Sequence, residues 1–523
     1  MQNKRESIWF ANIEKLCLLG MILGMPFWNL SSRWHIPFGH NLSLSFLNIG
    51  LIVLIIWHFR TGEIKIPHKR FIFGMALWFL LCCTIGAITF PYYTPQVMEI
   101  LQNSKFMANI IKVWPGAASY PYIACVGLYY SFVRQLIRDF LIPFFGMYII
   151  LYNLYGKGTM KKGIYFISNG VFALSLVMEV FSIFEIWWLW TKSPFCEKVL
   201  NLVMFNLYDI GSSFGWWPMP LVGRLRNFCA EPAFFGIIAI FMIPVLSIRI
   251  INGKKWELIP FTVFMTMFVA ARSLTAVYIF LGVIGLFIVG LIIFRYPHWK
   301  SMMIATIGIV VLAYAINMIG MIGGQSLQNN SSEANAAKSV SAITSYNHSL
   351  SITYHGPGAR VVESVAAFQT GIHNPIFGVG RGYEAPFMEQ LVPESLKSQP
   401  EYHNWMIVLD KRTFVKSSIP VLNQITRTFA WGGIPGLLFF LMPVLYSFYL
   451  CWKKRDWLRQ DVGLLLLLVM VCGELVCQVG NTMIVVFPYG TAILLLCLEV
   501  KEKPDLIILK DGNKTRAGGF WEI

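Results

Sequence analysis

The sequence predicts an all-α fold, a polytopic membrane helix bundle of about 12 transmembrane helices, and three observations predict it. Only 13% of the residues are charged while 56% are hydrophobic, whereas soluble domains carry about a quarter charged residues. Apolar runs near the ~20 residues needed to cross ~30 Å of hydrocarbon recur along the chain. The lysines and arginines gather in short connections between those runs rather than on one face.

The runs fall near 9–30, 43–58, 71–90, 134–153, 164–190, 232–250, 257–271, 274–294, 302–322, 428–451, 462–479 and 482–499. The opening MQNKRES is too polar for the start of a cleaved signal, so the first run is kept as a span. The basic connections are RTGEIKIPHKR (60–70), KGTMKKG (157–163), RIINGKK (249–255), RYPHWK (295–300), KKRDWLR (453–459) and the KEKPD tail. The positive-inside rule puts these in the cytoplasm, with both termini inside and an even number of spans. The net charge of +16 is therefore spread over loop ends, and no nucleic-acid partner is expected. Counting ASYPYIACVGLYYSFV (118–133) as a span would put KGTMKKG outside. It is read as an interfacial or re-entrant piece of the second outward loop, a thirteenth helix being the alternative.

Two outward loops, 191–231 and 323–427, carry most of the polar chemistry. The chain thus divides into nine spans over 1–322 with the first of these loops, the large loop 323–427, three spans over 428–500, and a cytoplasmic tail 501–523. The large loop opens Ser/Asn-rich and then becomes patterned. ARVVESVAAFQTGI has helical spacing of apolar residues, HNP ends it, and FGVGRGYEAP supplies glycines for a tight turn. Cys196 and Cys229 share the smaller loop; a disulfide there is permitted by compartment but not established by spacing.

Charges beside apolar runs need a reason. In RLRNFCAEPAFFG, Pro232 suits the first helical turn and Glu231 complements the helix dipole, but neither explains Arg224 and Arg226. An Arg226–Glu231 ion pair is within reach. Arg272 sits in a hairpin of a few residues, Arg360 opens the patterned helix, Arg381 stands inside FGVGRGYE, and Arg427 precedes the 428–451 run. A single arginine near a helix end is often solvated or snorkelling. Arginines recurring at one membrane face instead point to an anionic ligand, since the guanidinium fork grips phosphate oxygens bidentately and keeps its charge.

Inside the spans, Glu179 and Glu474 are expensive unless paired or wetted. Glu474, Gln478 and Asn481 form one polar face, open between lining a cavity and hydrogen bonding between helices. No P-loop, HExxH, GxSxG or CxxC motif is present, and no acidic cluster in a short outward loop suggests a divalent metal. No cofactor is expected and metal-independent chemistry is favoured.

Several stretches in order resemble the bacterial O-antigen ligase and O-antigen polymerase superfamily of polytopic glycan transferases. RNFCAEPAFFG (226–236) resembles its Arg…Glu-Pro motif, VAARSLTAV its SR-T hairpin, GARVVESVAAFQTGIHNPIFGVGRGY its "nPlfGvGxG" stretch, and NQITRTFAWGGIPGLLFFL its closing motif. The likeness covers roughly 160–500. Asn423, Gly433 and Gly436 keep the ligase register, but Leu422 stands where ligases carry histidine; His403 precedes Asn404 without the glycines that should follow. The resemblance therefore implies a repeat-unit polymerase, with a ligase and, from another class, a lipid-linked sugar flippase as rivals. It implies a GT-C-like bundle in the bacterial inner membrane and inverting glycosyl transfer at its outer face. The implied donor is an undecaprenyl-diphosphate-linked oligosaccharide, with membrane lipid and a chain-length regulator as further partners. On this reading Arg226, Arg272 and Arg427 bind diphosphate, Arg360 and Arg381 hold glycan beside Arg224, and Glu231 is the candidate base with Glu474 and His403 behind it.

Overall fold

The computed structural model describes residues 2–28, 30–31, 34, 41–156, 158–191, 193–208, 225–229, 232–253, 255–271, 273–329, 358–399, 402–403, 406, 414–415, 423–480, 486–500 and 506. Every regular element among them is helical. Leaving aside helical turns of six residues or fewer, in chain order these are α1 Gln2–Leu23, α2 Leu42–Thr61, α3 Lys69–Thr89, α4 Pro95–Gln102, α5 Lys105–Val113, α6 Pro121–Tyr155, α7 Met160–Thr191, α8 Pro194–Leu207 and α9 Pro232–Asn252. There follow α10 Leu258–Ala270, α11 Leu274–Phe294, α12 Trp299–Asn329, α13 Gly358–His373, α14 Glu384–Leu391, α15 Gln424–Lys453, α16 Val462–Gly480 and α17 Val486–Glu499.

Nine of the described helices are long and apolar enough to cross a membrane: α2, α3, α6, α7, α9, α11, α12, α15 and α16. The protein is a multi-pass helical membrane protein. α10 and α17 are shorter apolar helices on two more of the expected runs, and α1 lies on the first, packed along α2. α9 and α16 are apolar and buried nearly all round, as helices at a bundle centre are. α12 stands at the periphery, with Ile304, Val311 and Ile319 exposed.

Three boundaries differ from the sequence reading. Residues 121–155 form one helix of 35 residues, so 121–133 is neither re-entrant nor a separate span but helically continuous with the 134–153 run. A π-helical turn at Ile137–Leu141 interrupts the α-helical bonding pattern without ending the helix. The 302–322 run continues helically to Asn329, so the large loop begins later than 323. α15 begins at Gln424, one turn ahead of the apolar run, because Asn423 caps it: its Oδ1 accepts from Ile425 N and Thr426 N, each at 3.1 Å.

Outside the spans, α4 and α5 are amphipathic and fold over the extension of α6. Val97, Leu101 and Met107 share a small core with Leu128, Phe132 and Tyr383. This cap leans on the same loop that builds the candidate site.

Candidate functional site

The site is assembled where α15 breaks. Pro435 has no N–H to donate and its ring crowds the carbonyl one turn earlier. Gly433 takes φ 64° and ψ −161°, which ends one helical segment and starts another. The loosened backbone is bonded by the loop that follows α13. Val379 N donates to Ala430 O (2.8 Å), Gly380 N to Trp431 O (3.0 Å), and Ile434 N to Pro375 O (2.7 Å). Trp78 Nε1 of α3 donates to Gly432 O at 2.9 Å. Gly378, at φ 63°, lets the two chains approach this closely; a Cβ there would lie 2.4 Å from Ala430 O. The glycines of NPIFGVGRGY and AWGGIPG thus serve one joint between loop and helix.

That joint sets Arg381 beside Arg427. Both guanidinium carbons lie 4.7 Å from the centre of the Trp431 ring, within cation–π range. Arg427 reaches the ring from one turn earlier on α15. Two carboxylates partly offset the pair: Asp139 Oδ2 lies 3.6 Å from Arg381 Nη2, and Glu384 Oε1 lies 3.6 Å from Arg427 Nε. Asp139 comes from the π turn of α6, where Arg138 holds it at 2.5 and 2.8 Å. Glu384, in the first turn of α14, accepts from Gly382 N at 2.6 Å. Burial, and then the Arg427 charge beside it, lower the Arg381 guanidinium from its ordinary value to about 10, so it stays protonated at neutral pH.

Among the described residues, Arg381 Nη1, Arg427 Nε and Trp431 Nε1 are buried donors without a hydrogen-bond partner. An unmet buried donor costs about 1–3 kcal/mol, and more when charged. Each of these donors would gain by meeting an acceptor, and negative charge between the two arginines would offset their repulsion.

A second network holds residues 225–229. The Glu185 carboxylate of α7, buried, accepts from Arg226 N and Asn227 N, both at 2.8 Å. Asn227 is left-handed at φ 56° and donates to Met178 O and Ser182 Oγ, each at 2.7 Å. Tyr208 donates its hydroxyl to Phe228 O, and Leu225 N donates to Ala270 O at 3.1 Å. The last bond sets the segment against the end of α10, two residues before Arg272. Arg226 itself is buried, so it is neither solvated nor snorkelling.

The other expected site residues stand as follows. Arg224, Glu231 and Arg272 lie outside the described residues, and so does the Arg226–Glu231 pair; Pro232 does begin α9. Arg360 is in the first turn of α13, with its side chain outside the described atoms. His403 is exposed, against the Tyr402 ring, and has no contact with the arginine pair. Glu474 is buried in α16 with both carboxylate oxygens unbonded among the described residues, so the interhelical hydrogen bond weighed for it is not made there. Cys196 and Cys229 are buried free thiols.

Sequence reading missed Arg138, Asp139, Glu185, Glu384 and Trp431. The first three carried a signal, being ionisable residues inside the 134–153 and 164–190 runs. Trp431 carried none, since a tryptophan in an apolar helix reads as core. No protein-family model matches the chain, and no curated protein matches it either.

Proposed function

We propose that this protein is a glycosyl transferase that joins oligosaccharide units carried on undecaprenyl diphosphate, and that Arg381 and Arg427 grip the diphosphate. The observation that carries the reading is the arginine pair on Trp431, Arg381 buried and Arg427 half-buried, with donors unmet among the described residues. The order of motifs that resembles glycan polymerases supports the choice of reaction. In this reading twelve spans place the basic connections in the cytoplasm and the arginines at the outer face.

The acceptor hydroxyl attacks the anomeric carbon from the side opposite the diphosphate. The carbon–oxygen bond to the lipid diphosphate breaks with inversion, and negative charge builds on the departing oxygens. Fixed guanidinium groups in a dry site stabilise that charge without rearranging, the effect that makes preorganised donors catalytic. The hydroxyl proton goes to a base, for which Glu231 is the candidate, with Arg226, on the segment anchored by Glu185, and Arg272 as its proposed companions. Arg360 and Arg224 fall to the glycan, as does Gln424, whose Oε1 is an unmet acceptor on the face of α15 that carries Thr428.

The test is extension of an undecaprenyl-diphosphate-linked repeat unit by the purified protein, followed by mass spectrometry of the lipid-linked products. Wild-type protein should yield a ladder of longer glycans and free undecaprenyl diphosphate. Transfer of single units to another acceptor, with no ladder, would assign a ligase instead. No bond cleavage at all would overturn the reading.

A further inference from the structure

At the opposite end of the bundle is a cavity of about 350 Å³ between α3, α6, α15 and α17. Its walls are apolar, with Phe71, Phe145, Met442 and Leu495 among them, and Pro443 and Pro488 also line it. Pro443 lies within α15, which stays helical there, and Pro488 lies in the first turn of α17. An unfilled apolar cavity destabilises in proportion to its volume. A cavity of about 150 Å³ is already enough to admit benzene.

One end of the cavity is polar. Glu499 accepts from the Tyr148 hydroxyl at 2.5 Å and pairs with His68 Nε2 at 2.8 Å, so its charge is met. Around it cations predominate. Lys69 and Arg70 are exposed in the first turn of α3, whose His68 cap makes no side-chain bond to the helix. Lys454 donates to Val500 O, next to Glu499, at 2.8 Å. Tyr446, on the cavity wall, lies near the C-terminal end of α15, beyond its break at Gly433, whereas Arg427 lies in its first turn.

We infer that this cavity binds one acyl chain of an anionic phospholipid from the leaflet on that side, with the lipid phosphate against Lys69, Arg70 and Lys454. The apolar walls take the chain, and the uncapped start of α3 adds its dipole to the cations at the headgroup. The site is separate from the arginine pair and does not depend on the reaction proposed for it. An empty cavity would give no lipid preference, and a site for the headgroup alone would accept free phosphate.

The test uses the full chain in neutral detergent with phosphatidylglycerol carrying a photoreactive group at the end of one acyl chain. Crosslinks should map to the segments containing Met442 and Leu495. Unlabelled phosphatidylglycerol should compete at least tenfold better than phosphatidylcholine. Ala492→Trp, which fills the cavity, should cut crosslinking at those segments at least tenfold. Lys69→Glu with Arg70→Glu should abolish the preference between the two lipids while crosslinking persists. Equal competition by the two lipids on wild-type protein would overturn the inference whether or not the filled variant folds. So would undiminished crosslinking in a folded Ala492→Trp protein, or competition by inorganic phosphate.

Discussion

The two arginine networks are built on opposite principles. Around Arg226 the backbone donors are met: Glu185 takes two N–H groups, and Asn227 and Tyr208 complete the turn. Around Trp431 like charges are brought together and three donors have no hydrogen-bond partner among the described residues. Fully satisfied buried polar groups fix a geometry, whereas unsatisfied ones store affinity for something else. The first network therefore holds a segment in place, and the second is the one to which the proposed function assigns binding.

The comparison can be broken most severely at Trp431. Arg381→Ala and Arg427→Ala should each lower glycan extension about 10²–10³-fold, the scale for removing a preorganised donor. The lysine variants should recover little, because a point charge does not reproduce the planar fork. Lysine variants with full activity would reduce the pair to a field effect.

The next effect separates positioning from binding. Glu185→Gln exchanges one of two acceptor oxygens for an NH₂ group facing a backbone N–H, leaving a buried donor unmet at about 1–3 kcal/mol. Its unfolding temperature and extension rate should both fall while affinity for undecaprenyl diphosphate is unchanged. Lost affinity would show that the two networks form one site.

Gly433→Ala sharpens the contrast from the backbone side. An alanine at φ 64° is strained by about 1–3 kcal/mol, and its Cβ would meet Ile376 O at 2.2 Å. Loop 374–382 must then move away from α15 and carry Arg381 with it. Diphosphate affinity should fall by more than stability does, as read by binding and thermal unfolding on one preparation.

The smallest effect lies at the far end of the molecule. The hydrogen bond with Glu499 raises the His68 pKa above its ordinary 6.5, so the folded state binds the proton more tightly than the unfolded one. The stability from this pair is fully present below about pH 6.5 and is lost as pH rises through the raised value. His68 is about half exposed, which limits the gain through solvent screening. The unfolding temperature of wild-type protein should exceed that of His68→Gln by a few degrees at low pH, with the gap closing as pH rises; a constant gap would remove the ion pair from the account.

Much of this architecture was legible in the sequence, because membrane spans announce themselves by length and apolarity. The α13 helix, its end at His373 and the glycine turn after it were also readable, since helical spacing and positive-φ glycines are local signals. The continuity of α6 was not, and neither was the role of Arg138 and Asp139 inside the 134–153 run: they sit in the π turn, where Asp139 faces Arg381. Nor was the pairing of Arg381 with Arg427, which are 46 residues apart by numbering. They meet through backbone bonds between a loop and a broken helix, and such bonds leave no residue-type signature beyond glycine.

The most direct measurement is equilibrium binding of undecaprenyl diphosphate to purified wild-type, Arg381→Gln/Arg427→Gln and Arg226→Gln proteins. Glutamine keeps much of the bulk and removes the charge. If the Trp431 pair is the diphosphate site, the double variant should lose at least a hundredfold in affinity and Arg226→Gln less than threefold. Wild-type affinity in the double variant would contradict the account.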